Sequence, residues 1–184
     1  MSHYDPRKVQ SGGTLADMAG TVALVDAATL ARAPLLPVCA GAYGMALDEE
    51  RNILFVACAL ADQVAEVDLA ASPPRVVLHD VGSAPITPPA TVHEPMALAR
   101  NPADGTLWLS CQRSRTLRVV DPADWSVTAG PTLSAGPHGS VFTPAGTLLV
   151  AVRESAELVE VDPVTRQLRR PALRMEPGHL HQRS

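Results

Sequence analysis

Two glutamates stand directly before prolines in matching phrases, His93-Glu94-Pro95 and Met175-Glu176-Pro177, and imidazoles lie close to both. His93 adjoins the first, His179 follows the second by three residues, and His138 comes after proline in a third phrase, Gly136-Pro137-His138. Carboxylates and imidazoles brought together can hold a divalent cation or act as acid and base. No single element carries these groups at a ligand spacing that would fix a metal by itself. The plainer reading is therefore preferred: Glu94 and Glu176 as solvated loop residues, His138 and His179 as rings hydrogen-bonded to nearby backbone.

Other reactive residue types are accounted for structurally. Asp26, Asp68, Asp121 and Asp162 each close an apolar phrase just before a turn, where a carboxylate accepts backbone N–H groups. Cys58 and Cys111 hold equal places in successive phrases, which sets them too far apart for a disulfide, and they are expected to be small buried hydrophobes. Arg113, Arg115 and Arg153 fall in short polar loops and could attract an anion, although Glu154 and Glu157 offset Arg153 and solvated loop charges are the simpler expectation. Trp108 lies within an apolar run and is expected in the core; Trp125 is expected to cover a hairpin. The chain has no GxSxG, Walker or HExxH motif.

Composition removes several function classes. A net charge of −4 argues against a phosphate-binding surface, and 3% aromatic content supplies no platform for stacking bases, so no nucleic-acid partner is expected. The 184 residues, 46% apolar and 18% charged, suffice for a folded core. No window approaches the ~20 apolar residues of a membrane-spanning helix, so no membrane insertion is expected. Residues 1 to 20 lack the apolar stretch of a signal peptide. The three cysteines form no CxxC or CxxCH, and no cofactor is predicted beyond a possible divalent cation.

The elements that must position these residues repeat. "VALVD" ends at Asp26, "VAEVD" at Asp68, "LRVVD" at Asp121 and "LVEVD" at Asp162, at intervals of 42, 53 and 41 residues. Before three of them stands a second phrase: "YGMALDEERNILFVAC" (43 to 58), "PMALARNPADGTLWLSC" (95 to 111) and "PHGSVFTPAGTLLVAV" (137 to 152). Each unit reads as strand, turn, strand, polar loop, third strand closed by Asp, and fourth strand, because apolar residues come in runs or alternate while 17 prolines break any longer helical window. Four strands in ~40 to 45 residues is the period of a β-propeller blade. The expected fold is all-β: a propeller of four-stranded antiparallel blades, about four of them in this chain.

The phrases "P-x-G-x-x-x-x-P-x-G-x-L-x-V" and "V-x-V-x-D-P-x-T", seen most fully in residues 137 to 165, resemble the YVTN-type propeller repeats, related to the YncE-like and lactonase-like seven-bladed propellers. The resemblance covers roughly residues 21 to 180, with residues 1 to 20 an N-terminal segment in which "GTLADM" (13 to 18) reads as a degenerate strand and 21 to 184 a partial propeller. It departs at "FVAC" and "WLSC", where such repeats often carry asparagine. The strand count leaves three readings, a fragment of a longer propeller, a half-propeller that closes by association or a divergent four-bladed ring; the fragment is preferred, with the remaining blades expected from the same longer chain or from a second copy.

In a propeller of this kind, the links between blades and the loops between second and third strands surround the mouth of the central channel. That places Glu94 and Glu176 at equivalent link positions, with Tyr43, Met96 and His138 sharing a position two residues on and His179 nearby. The leading expectation is a noncatalytic module presenting this rigid loop face to a protein or small-molecule ligand. One alternative is a lactonase-like hydrolase with a cation at the mouth; another is a module accompanying a haem-bearing redox domain encoded elsewhere in the frame. The resemblance further implies a periplasmic or cell-surface bacterial location.

Overall fold

The computed structural model describes residues 2–3, 18–82 and 92–170. The strands are β1 (Ser2–His3), β2 (Ala19–Val22), β3 (Leu36–Ala40), β4 (Ala42–Asp48), β5 (Ile53–Cys58), β6 (Gln63–Asp68), β7 (Arg75–Asp80) and β8 (Pro95–Arg100). They continue with β9 (Leu107–Cys111), β10 (Thr116–Val120), β11 (Val127–Thr132), β12 (Pro137–Phe142), β13 (Leu148–Val152), β14 (Glu157–Val161) and β15 (Leu168–Arg169). Three four-stranded antiparallel meanders, β4-β5-β6-β7, β8-β9-β10-β11 and β12-β13-β14-β15, follow a three-stranded sheet, β1-β2-β3. Among the described residues no helix is long and apolar enough to cross a membrane.

The second strands β5 and β9 read as continuous apolar runs because both of their faces are covered, whereas β13 of the last sheet buries Leu148, Val150 and Val152 and leaves Ala151 exposed. Successive side chains of a strand point to opposite faces, so one run serves two interfaces. Val56 and Cys58 of β5 pack toward the first sheet with Met18, Val22 and Val38, while Phe55 and Ala57 pack toward the third sheet with Leu98, Leu107 and Leu109. Trp108 of β9 points the other way, into a cluster with Leu148, Val150 and Val159 of the fourth sheet. Three apolar layers thus join four consecutive sheets, and Trp108 takes the core role read from its sequence.

The strand ends follow the recurrent Asp. The carboxylate of Asp26 accepts the N–H of Ala28 at 3.0 Å and of Thr29 at 2.7 Å, and Asp162 accepts Val164 and Thr165, both at 2.9 Å. Asp68 holds Ala70 at 3.0 Å and Asp121 holds Ala123 at 2.9 Å. These backbone donors keep Asp26 and Asp162 below the ordinary aspartate range. In three of the turns the fourth residue after the Asp is left-handed, Leu30, Trp125 and Arg166, and its N–H returns to the Asp carbonyl. The four aspartates are turn-forming groups, as expected.

The first unit is the least regular. β2 stops at Val22, the first residue of the apolar phrase that ends at Asp26, and a single Val25–Arg32 bridge carries the pairing on. Ser2–His3 pairs with β2 on the side opposite β3. Apart from Met18, the stretch "GTLADM" lies outside the described residues.

The inner strands β4, β8 and β12 lie side by side. Small residues permit this. A Cβ on Gly44 of β4 would come within 2.5 Å of the Ala97 Cα in β8, so the two backbones meet where a side chain would stand. Gly139 of β12 has the same place in the repeat, and a Cβ there would meet nothing within 4 Å.

Candidate functional site

The three neighbouring inner strands bring Tyr43, Met96 and His138 into one row, as the repeat register requires. The Tyr43 and His138 rings meet edge to face with centroids 6.3 Å apart, although a whole sheet lies between their strands in sequence. Met96 between them is buried, whereas Tyr43 is 39% exposed. Glu94 enters this end of β8 with a left-handed backbone, φ 56°, and its carboxylate lies 3.7 Å from the Arg113 guanidinium. Glu176 and His179 lie outside the described residues.

The link that carries Glu94 is gripped from the preceding sheet. Asp62, in the β5–β6 turn and 2% exposed, accepts three successive backbone N–H groups: Val92 at 2.8 Å, His93 at 3.0 Å and Glu94 at 2.8 Å. From the other side, the N–H groups of Gln112 and Arg113 donate to the carbonyls of Glu94 and His93 at 3.0 and 3.1 Å. The other two links are held the same way. Ala59 and Leu60 donate to the carbonyls of Gly41 and Ala40, and Glu154 accepts the N–H of Gly136 at 3.0 Å. Every described link is therefore bonded to a loop between second and third strands.

His93 is buried beneath this link, and its Nε2 lies 3.2 Å from Nη1 of Arg118 in β10. A guanidinium only donates, so Nε2 must be the unprotonated acceptor. Burial first, and then the Arg118 charge, lower the His93 pKa, with the Asp62 carboxylate opposing them. His93 is thus held neutral. Burial pushes the neighbouring Cys111 thiol up to about 12, which removes it as a nucleophile near neutral pH.

These findings redistribute the candidates. The structure brings Tyr43 and His138 together, whereas the Glu94 carboxylate pairs with Arg113. Among the described residues no group of three His, Cys, Asp or Glu side chains is placed to hold a metal ion. Arg113 is mostly exposed beside Glu94, the solvated role expected of it. Trp125 covers more than its own hairpin: its indole stacks on His79 of the preceding sheet with centroids 3.3 Å apart, and His79 in turn meets Glu66 at 2.9 Å.

Two features were missed in sequence. Asp62 stands in a turn where the other repeats have Arg115 and Ala156, and a lone acidic residue at a left-handed turn position was the available signal. Cys58 is not a free hydrophobe: it forms a disulfide with Cys39, Cα to Cα 5.8 Å, and only Cys111 is a free thiol. The comparison of Cys58 with Cys111 matched equal places in adjacent units. The bonded partner lies instead near the end of β3, two residues before the left-handed Gly41 of a link bonded to the loop after β5.

Sheets of this order, joined by short links and packed face to face about neighbouring inner strands, define a partial β-propeller. No family model matches the chain, and no curated protein matches it in sequence. The fold does have solved counterparts. A catalytically inactive virginiamycin B lyase from Staphylococcus aureus with quinupristin is similar over 85% of this chain and 50% of that one, with TM-score 0.65 and 9% identity. Kuenenia stuttgartiensis hydrazine synthase is similar over 86% of this chain and 45% of that one, with TM-score 0.65 and 20% identity. A chain of a nidogen/laminin complex gives TM-score 0.59 at 11% identity, over 84% of this chain and 56% of that one. At such identities the likeness is one of fold, and this chain spans about half the length of these propellers.

Proposed function

We propose that the chain is a noncatalytic propeller module, of the YVTN-type suggested by residues 137 to 165, whose link face receives a protein or small-molecule ligand. The observation that carries this reading is the commitment of the polar groups at that face to structure: Asp62 spends its carboxylate on three backbone donors, and Glu94 faces Arg113. Groups so engaged make a stiff scaffold and are poorly placed to exchange protons with a substrate. The half-exposed Tyr43 ring, set against His138, is the contact surface this scaffold offers. The solved propellers it resembles include both a lyase and a member of a protein complex, so fold alone does not choose between chemistry and binding. The open position beside Gly139 is where we place a further blade, from the same longer chain or from a second copy.

The test is a pair of assays on the purified chain. Ligand-observed NMR with a panel of small aromatic and polar compounds should find binding that weakens in Tyr43→Ala and His138→Ala. Incubation with lactones, with and without Ca²⁺ or Mn²⁺, should give no turnover. Hydrolysis that depends on the chain and is lost in Glu94→Gln or His138→Ala would replace this reading with the lactonase-like one.

A further inference from the structure

We infer that this chain matures in an oxidising compartment, where a cross-link between Cys39 and Cys58 fastens its first sheet to its second. The two cysteines belong to different sheets, Cys39 to β3 and Cys58 to β5, and are joined across the interface between them. Their Cα separation of 5.8 Å is within the range a disulfide spans without backbone movement. Both sit in the layer formed by Met18, Val22, Ala42 and Val56, at 4% and 0% exposure. The odd cysteine is explained as well, since Cys111 lies in the next layer and cannot reach either partner.

The placement gives the bond its purpose. Among the described residues the first sheet has three strands where the others have four, with two residues in β1 and four in β2, so it has the smallest ladder to hold it. A covalent tie from its last strand compensates. Formation is an exchange: the Cys39 and Cys58 thiols give up two protons and two electrons to the disulfide of a thiol–disulfide oxidoreductase, which leaves as its dithiol. Compartments that sustain this reaction are extracytoplasmic, whereas cytosolic dithiols keep protein thiols reduced. Once formed, the bond is sealed from attacking thiolates by burial and serves as a permanent staple.

The test compares the full chain exported to a bacterial periplasm with the same chain made in a reducing cytosol. Each is denatured in iodoacetamide without reductant, digested with trypsin and weighed. The exported chain should carry one alkylated thiol, on Cys111, with peptide 33–51 joined to peptide 52–75. The exported Cys111→Ala variant should keep this cross-link. Three alkylated thiols in the exported chain, or a bond that includes Cys111, would overturn the assignment. The cytosolic chain should carry three alkylated thiols; it and the exported Cys39→Ala/Cys58→Ala variant, whose one thiol is Cys111, should both melt at a lower temperature and be cut by protease first near the first sheet. An unlinked cytosolic chain that melts with the exported one would overturn the inference about compartment.

Discussion

Gly44 and Gly139 are repeat-equivalent positions with opposite surroundings, and replacing each with alanine tests the account of how the sheets are joined. Neither has a left-handed backbone, so an added methyl meets only its neighbours. At Gly44 those neighbours are backbone: the new Cβ would stand 2.5 Å from the Ala97 Cα, 3.0 Å from the Leu98 nitrogen and 3.1 Å from the Ala97 carbonyl carbon. Ordinary contact needs about an ångström more, and a backbone cannot rotate aside as a side chain can. β4 and β8 must therefore separate, which also loosens the Tyr43–His138 contact. Overpacking of this kind costs about 1–3 kcal/mol, and the backbone obstacle places Gly44→Ala toward the upper end, about 2–3 kcal/mol. For a chain of this size each kcal/mol lowers the melting midpoint by roughly 2–4 °C, so the expected fall is about 5–10 °C.

At Gly139 the methyl meets nothing, and alanine restricts the unfolded chain, so the variant should be neutral or stabilised by up to about 1 kcal/mol. Thermal and urea unfolding of the two variants beside the parent chain measure the difference. Two neutral variants would refute the reasoning. If both were destabilised, an inner strand from another blade or a second copy would lie on β12 in solution, and sedimentation of the Gly139→Ala chain would then show a loss of association. If both were neutral, the inner strands would not approach as described.

Three further outcomes follow from the same geometry. Asp62→Ala strands three backbone donors beneath the link to β8 and should cost about 2–4 kcal/mol, with new protease cleavage near residues 92–94; an uncut link would count against the clamp. Burial holds the folded-state pKa of His93 below the ordinary histidine value of 6.5, so the unfolded chain takes up the proton first. Its contribution is complete above pH 6.5 and is lost as pH falls from there through the depressed value, and urea midpoints should show a slope in that window that His93→Gln removes. Opening the Cys39–Cys58 bond by the paired alanine substitution should cost about 3 kcal/mol, because the cross-link closes a loop with a sequence separation of 19, as read by denaturant unfolding.

The blade pattern was legible because it is written locally. A strand covered on both faces must be apolar throughout, and a turn after an Asp needs only residues two and three places on, so β5, β9 and the four aspartates announce themselves within a few residues. The row of Tyr43, Met96 and His138 was legible for the same reason, once the units were aligned. Asp62 was not, because its partners are thirty residues away on a link whose insertion breaks the repeat interval, and turn chemistry alone cannot say which backbone a carboxylate will find. The disulfide was hidden by the alignment itself. Matching Cys58 to Cys111 compares equal places in successive sheets, which are held a sheet apart, whereas bonding requires unequal places brought together by a link, as Cys39 and Cys58 are.

That distinction bears on where function resides. Contacts within a sheet follow the repeat, and each unit supplies them again, so they carry little that is particular to this chain. Contacts made by the links break the repeat: Asp62 grips one, Glu154 another, and a disulfide stands at the third. Two of these are carboxylates that accept backbone N–H groups and the third is a covalent bond, yet all hold a link against the loop after a second strand. A face made of separately fastened links can change residue by residue without disturbing the sheets beneath it, which is the property a binding surface needs. The exposed Tyr43 edge and the buried His93 mark the two extremes of that face. Freeing the Asp62 carboxylate for any other task would release the link that positions the rest of the face.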